Sequence, residues 1–118
     1  MWLSETFDLK YPVLQGGMAW VATAEFAAAV SEAGALGQIG SGSMTAEMVR
    51  SSIRRVRELT DRPFGVNLML MNPEAKQIAQ VLAEERVPLV TTGAGSPGKY
   101  IEQWKKAGSI VIPVVSSL

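Results

Sequence analysis

Along the chain, short apolar runs stopped by Gly or Pro alternate with longer stretches in which apolar residues recur every three or four positions. Pro12-Val13-Leu14-Gln15 reads as a first strand that stops at Gly16-Gly17. From Ala24 to Ala33 a helix is predicted with Phe26, Ala27, Val30 and Ala33 on its buried face. Thr23 is placed to cap it, Glu25 suits the dipole of its first turn, and Gly34 closes it. Leu36-Gly37-Gln38-Ile39 is a second strand, running into Gly40-Ser41-Gly42-Ser43. In the next helix Met44, Met48, Val49, Ile53, Val56 and Leu59 form one stripe, and Thr60-Asp61-Arg62-Pro63 ends it. The third strand, Phe64 to Met71, is too continuously apolar for a sheet with one wet face, so both faces should be covered. Asn67 is its only polar side chain. Asn72-Pro73 opens a helix with Ala75, Ile78, Ala79 and Leu82 inward, and Pro88 to Thr92 is a fourth strand ending at Gly93. A helix from about Lys99 to Ala107 carries Ile101 and Trp104 on one side, Gly108 caps it, and Ser109 to Val115 is a fifth strand.

Strand and helix thus alternate, which implies an α/β fold of parallel (βα) repeats with right-handed crossovers. Two architectures share this order: a doubly wound open sheet with the first strand inside, and the N-terminal half of a TIM (β/α)8 barrel with strands in the order 1-2-3-4-5. With no helix after the fifth strand, either one leaves apolar strand faces bare at about 25 cal/mol per Å². The sequence therefore reads as cut short.

Composition narrows the chemistry. The 118 residues fit one domain, 47% are apolar, and 11 Lys+Arg balance 11 Asp+Glu. Zero net charge offers no field for nucleic acid or an anionic bilayer, so neither is expected as a partner. The absence of Cys and His removes disulfides, thiol nucleophiles, thiolate metal sites and the usual neutral-pH proton carrier. No metal site is expected. No apolar run approaches the roughly 18 residues of a membrane span, and Met1-Trp2-Leu3-Ser4-Glu5 does not open a signal peptide. A soluble, cytoplasmic protein is expected.

Ligands of parallel α/β domains collect at the carboxyl ends of the strands. Here those ends carry Gln15-Gly16-Gly17-Met18, Gly40-Ser41-Gly42-Ser43, Asn67 and Thr91-Thr92-Gly93-Ala94-Gly95, and glycine lets a ligand approach the backbone closely. Gly93-x-Gly95-x-x-Gly98 resembles a dinucleotide fingerprint, but Ser109 to Leu118 lacks the acid that would hold a ribose, and Gly98-Lys99 precedes Tyr100 where a Walker loop needs Ser or Thr. Arg50, Arg54 and Arg57 form a strip that suits either solvent or an acidic partner. Met18, Met69 and Met71 are either core filler or walls for a flat apolar ligand. Trp20 is a pocket wall or a lid, and Tyr100, Lys10 and Tyr11 read as structural.

At Tyr11-Pro12-Val13-Leu14-Gln15-Gly16-Gly17-Met18-Ala19-Trp20-Val21, joined to Ala33-Gly34-Ala35-Leu36-Gly37, Pro63-Phe64-Gly65-Val66-Asn67, Val90-Thr91-Thr92-Gly93-Ala94-Gly95 and Ile112-Pro113-Val114-Val115, the chain resembles a known family. It is similar to the N-terminal part of the FMN-dependent enoyl-(acyl carrier protein) reductases II, within the nitronate monooxygenase superfamily, formerly 2-nitropropane dioxygenases. The likeness runs in order through nearly all 118 residues. The Gln15-Gly16-Gly17-Met18-Ala19-Trp20 and Thr91-Thr92-Gly93-Ala94-Gly95 forms resemble the reductase branch, whereas the monooxygenases more often carry Ala-Pro before the Met.

The resemblance implies that residues 1–118 form a partial FMN-binding TIM-barrel domain, strands one to five, with the flavin ring over the carboxyl ends of the first strands. Carried over by position, the backbone at Gly17, Met18 and Ala19 would meet the reactive edge of the ring, and Asn67 would bond its polar rim. The residues agree: a lone amide in an apolar strand must find a partner, and its donor and acceptor suit a flavin pyrimidine edge, with a backbone partner as the plainer alternative. The implied reaction, a step of fatty acid synthesis, uses NAD(P)H to reduce the flavin and delivers hydride to a trans-2-enoyl group linked to acyl carrier protein. The family's catalytic His and phosphate-binding loops have no counterpart in these residues, so no catalytic residue is assigned and the chain alone is expected to be an inactive half-site. Nitronate monooxygenase activity and a non-catalytic, flavodoxin-like FMN-binding module are the alternatives. A homodimer is left open.

Overall fold

The computed structural model describes residues 2–11, 13–15, 23–93 and 98–113. It opens with a helix the apolar periodicity does not announce, α1 (Trp2–Phe7), whose Leu3 and Phe7, one turn apart, are both buried. Of the first predicted strand, the described residues form a bridge: Leu14 pairs in parallel with Leu36, the Leu36 amide bonding the Val13 carbonyl and the Gln15 amide the Leu36 carbonyl, each at 2.9 Å. Then follow α2 (Ala24–Glu32), β1 (Gly37–Gly40), α3 (Ala46–Leu59), β2 (Phe64–Met69), α4 (Ala75–Glu84), β3 (Leu89–Gly93), α5 (Ile101–Lys106) and β4 (Ile110–Pro113). The strands pair only in parallel, in the order β1-β2-β3-β4, with Leu14 bridged to the residue that leads into β1. This sequential order is that of a barrel wall. It overturns the flavodoxin-like alternative, which needs the first strand inside the sheet.

The pleat sorts the side chains into two layers. On the outer face Ile39, Val66, Leu68 and Val90 pack against Ala27 and Ala28 of α2, Val49, Ile53 and Val56 of α3, Ile78, Ala79 and Leu82 of α4, and Trp104 of α5. On the inner face Leu36 and Leu89 meet Leu3 and Phe7 of α1, with Leu9, Leu14, Ile110 and Ile112 at the border. Both faces of β3 are covered at Leu89 to Thr92, whereas the inner face of β2 is open at its carboxyl end, where Asn67 is half-buried and Met69 exposed, so the expectation of two covered faces holds only in part there.

Three expectations are corrected. The inward face of α2 is Ala24, Ala27, Ala28 and Ser31, whereas Phe26 is 41% exposed and Ala33 faces solvent. The cause is close approach: a Cβ on Gly37 would stand 2.0 Å from the Ala27 carbonyl oxygen, so only alanines fit against β1 and the bulky Phe26 is turned away. Ser31 enters the core because its hydroxyl accepts from the Gly37 amide at 2.9 Å and donates to the Pro63 carbonyl at 2.8 Å. On α3, Val49, Ile53 and Val56 keep the stripe, but Met48 and Leu59 are exposed. Finally, β2 ends at Met69, and the chain turns through residues 70–74 before α4 begins.

The arginine strip of α3 is largely neutralised. Arg50 bonds Glu84 and, at 3.0 Å, Glu85; Arg54 and Arg57 also reach Glu85, each at 3.5 Å. These pairs tie α3 to the end of α4. Among the described residues no helix is long and apolar enough to cross a membrane.

Candidate active site

A cleft of about 470 Å³ opens at the carboxyl ends of β1 and β2, between the Gly40-Ser41-Gly42-Ser43 loop, Asn67, Met69 and the Met71-Asn72-Pro73 turn. Its volume falls within the range of small-molecule sites. The loop is held rather than free. The Ser41 amide donates to the Asn67 carbonyl at 3.2 Å, the Ser41 hydroxyl donates to the same oxygen, and the Met44 amide donates back to the Ser41 carbonyl at 3.0 Å. From the opposite rim, the Asn72 Nδ2 lies 3.0 Å from the Met44 carbonyl oxygen, 3.3 Å from that of Ser41 and 3.4 Å from that of Gly42. Asn72 Oδ1 accepts from the Glu74 amide at 2.8 Å, and Glu74 in turn accepts from the first amide of α3, that of Ala46, at 3.1 Å. One carboxamide thus fixes the loop after β1 to the turn after β2.

Asn67 stands between Gly40 and Thr91 in the register. Its backbone carbonyl is used by Ser41, but its side-chain Oδ1 is buried and has no hydrogen-bond partner among the described residues. An unmet buried acceptor costs about 1–3 kcal/mol, so this atom marks where a donor from a ligand would be gained. Thr92 Oγ1 is also buried and unpartnered, but it alternates with Thr91 along β3, on the side of Val90 and the helices.

Two of the glycines do something other than admit a ligand. A Cβ on Gly42 would lie 3.3 Å from Met69 Cγ, and one on Gly93 would lie 3.4 Å from Met69 Sδ. They make room for Met69, which lies across the floor of the mouth while Met71, 80% exposed, stands at its rim. Among the described residues, no side chain lining the cleft carries a charge. The groups whose titration is shifted lie elsewhere: hydrogen bonding to Glu84 raises the Arg50 guanidinium, and hydrogen bonding to Arg50 and then Gln80 lowers the Glu84 carboxyl.

Of the site residues expected from the sequence, Asn67 lies in the cleft, while Gly17, Met18 and Ala19 fall outside the described residues. Trp20 falls outside them as well. Sequence reasoning missed Asn72, although an Asn before Pro at a strand end signals a side chain that bonds backbone. It also missed Gln38, a polar residue in an apolar strand just as Asn67 is.

The family model for nitronate monooxygenases matches residues 1–85. The chain belongs to that family. Among solved structures, FabK from Thermotoga maritima is 50% identical to this member and superposes with a TM-score of 0.93, over 98% of this chain and 37% of its own. The nitroalkane oxidase of Streptomyces ansochromogenes is 28% identical, with a TM-score of 0.86 over 98% of this chain and 42% of its own. Among curated relatives, the (3aS,4S,5R,7aS)-5-hydroxy-7a-methyl-1-oxo-octahydro-1H-indene-4-carboxyl-CoA dehydrogenase of Mycobacterium tuberculosis is 33% identical over 98% of this chain and 32% of its own length. The chain spans about a third of the length of the curated relatives it matches across most of its residues. Its parallel sheet is accordingly a run of (βα) units from a TIM barrel, the expected fold.

Proposed function

We propose that this chain supplies the ring-binding side of the active site of an FMN-dependent oxidoreductase that reduces trans-2-enoyl groups on acyl carrier protein with NAD(P)H. The observation that carries the reading is Asn67: a buried, unmatched carboxamide oxygen in a cleft at the carboxyl edge of a barrel sheet. A flavin pyrimidine edge offers an N–H flanked by carbonyl oxygens, which is the complement of a carboxamide. Met69 and Met71 give the cleft the apolar walls a flat ring needs. The 50% identity to FabK, an enoyl-(acyl carrier protein) reductase II, supports the reductase branch.

In this reading Asn67 orients the ring, the backbone at Gly17, Met18 and Ala19 meets its reactive edge, and Asn72 holds the loop after β1 in place at the rim. When bound, the flavin supplies hydride transfer between nicotinamide and substrate. Among the described residues lining the cleft none carries an ionisable side chain, so these residues bind and orient rather than move protons.

Titration of the chain with FMN, followed by quenching of flavin fluorescence, tests the site; saturable quenching is expected, and its absence would remove the reading. In a barrel completed by its remaining strands, crotonyl-thioester-dependent oxidation of NAD(P)H is expected. A second reading, oxidation of nitronates, is favoured by the family match itself. Oxygen uptake with a nitronate and no oxidation of NAD(P)H by the thioester would select it.

A further inference from the structure

Main-chain pairing holds the first strand segment weakly, since among the described residues Leu14 alone forms a bridge. What fixes its exit is a closed set of side-chain bonds. Gln15 Nε2 donates to the Gln38 carbonyl at 2.9 Å, and Gln15 Oε1 accepts from the Gln38 amide at 3.1 Å, so the Gln15 carboxamide stands in for the peptide of a neighbouring strand. Gln38 answers in kind: its Nε2 donates to the Gln15 carbonyl at 2.6 Å. Its Oε1 accepts from the Thr91 hydroxyl at 2.7 Å, two strands away.

Each of the three is buried, Gln38 to 2% exposure. The reach from β1 to β3 crosses β2 at Gly65, the register partner of Gln38, where a side chain would meet Leu89 at 3.0–3.2 Å. The Gln15 carbonyl, which can only accept, sets the Gln38 nitrogen toward Gln15, and the Thr91 hydroxyl satisfies the carboxamide oxygen on the other side. Thr91 is also the register partner of Asn67. The relay therefore runs beside the cleft on the sheet, and the residue after Gln15 begins the Gly16-Gly17-Met18 sequence.

We propose that Gln38 is a positioning residue of this site, its carboxamide anchored by Thr91 so that it holds the chain at Gln15 beside the cleft. This rests on the flavin reading for its consequence but not for its geometry. Removing the donor with Thr91→Val keeps the shape; Thr91→Ser keeps the hydroxyl. Hydrogen–deuterium exchange of the ligand-free chain should show the peptide around Gln15 exchanging about tenfold faster in Thr91→Val, with β2 amides unchanged and Thr91→Ser restoring protection. FMN affinity should fall by about tenfold in Thr91→Val with an altered visible circular dichroism of the bound flavin, again restored by Thr91→Ser. Equal behaviour of the Val and Ser variants, or loss of protection spread evenly through the sheet, would overturn the proposal. A wild-type chain that takes up no FMN would count against the flavin reading alone, and the exchange contrast would still decide the clamp.

Discussion

Asn67 makes opposite predictions for the empty and the loaded molecule. Its Oδ1 is buried without a partner, so replacing the side chain by an apolar one of similar size removes an unmet desolvation cost. Asn67→Leu should leave the thermal midpoint of the ligand-free chain unchanged or raise it, while FMN affinity falls by about tenfold, the loss of one to two hydrogen bonds. Calorimetry and fluorescence titration on the same two samples would check both, and a lowered midpoint with unchanged affinity would reduce Asn67 to a structural residue. This position was legible in the sequence because a single carboxamide interrupts an apolar strand. Gln38 sends the same signal but sits in a strand of only four residues beside glycines, where polarity draws less notice. Asn72 was read only as the start of a helix; its place before Pro73 signals a side chain that bonds backbone, but not which carbonyls across the fold it reaches.

Among the elements, α2 shows what periodicity misses. The stripe of Phe26, Val30 and Ala33 is the more hydrophobic one, yet the alanine face wins because β1 brings Gly37 against the helix backbone. Contact distance, not hydrophobicity, chooses the face there. Gly37→Ala should therefore cost about 3 kcal/mol or more, because its Cβ would strike main chain that cannot rotate away; a urea midpoint close to wild type would show that α2 can shift. Likewise α1, less than two turns long, offers too few positions for a periodic signal. Between α3 and α4, the Arg50 bond holds the Glu84 carboxyl below its usual range. A lowered carboxyl stabilises the fold above its unfolded value, and that contribution is lost as pH falls through the folded one. Both groups are solvent-screened, so the effect is small. Glu84→Gln should be slightly less stable than wild type at neutral pH, and the two should converge in acid and in high salt.

At the scale of the molecule, the strand order separates two kinds of work. The cleft lies at the carboxyl ends of the strands, whereas Leu3 and Phe7 of α1 close the inner face near the amino ends, against Leu36 and Leu89. In barrels the first end carries function and the second stability. The alternation of strands and helices left two sheet orders open in the sequence, the family resemblance chose the barrel, and the pairing bears that choice out. Phe7→Ala tests the division. It opens a cavity in an inner cluster whose buried members among the described residues are Leu3, Phe7, Leu36 and Leu89, so little can collapse into the space. The cost should be about 3 kcal/mol in urea unfolding. FMN affinity of the folded fraction should nonetheless equal that of wild type, the reverse of the pattern for Asn67→Leu. A Phe7→Ala chain that stays folded but binds flavin much more weakly would show that α1 reaches the site through the sheet, and the two ends would then have to be treated as one cooperative unit.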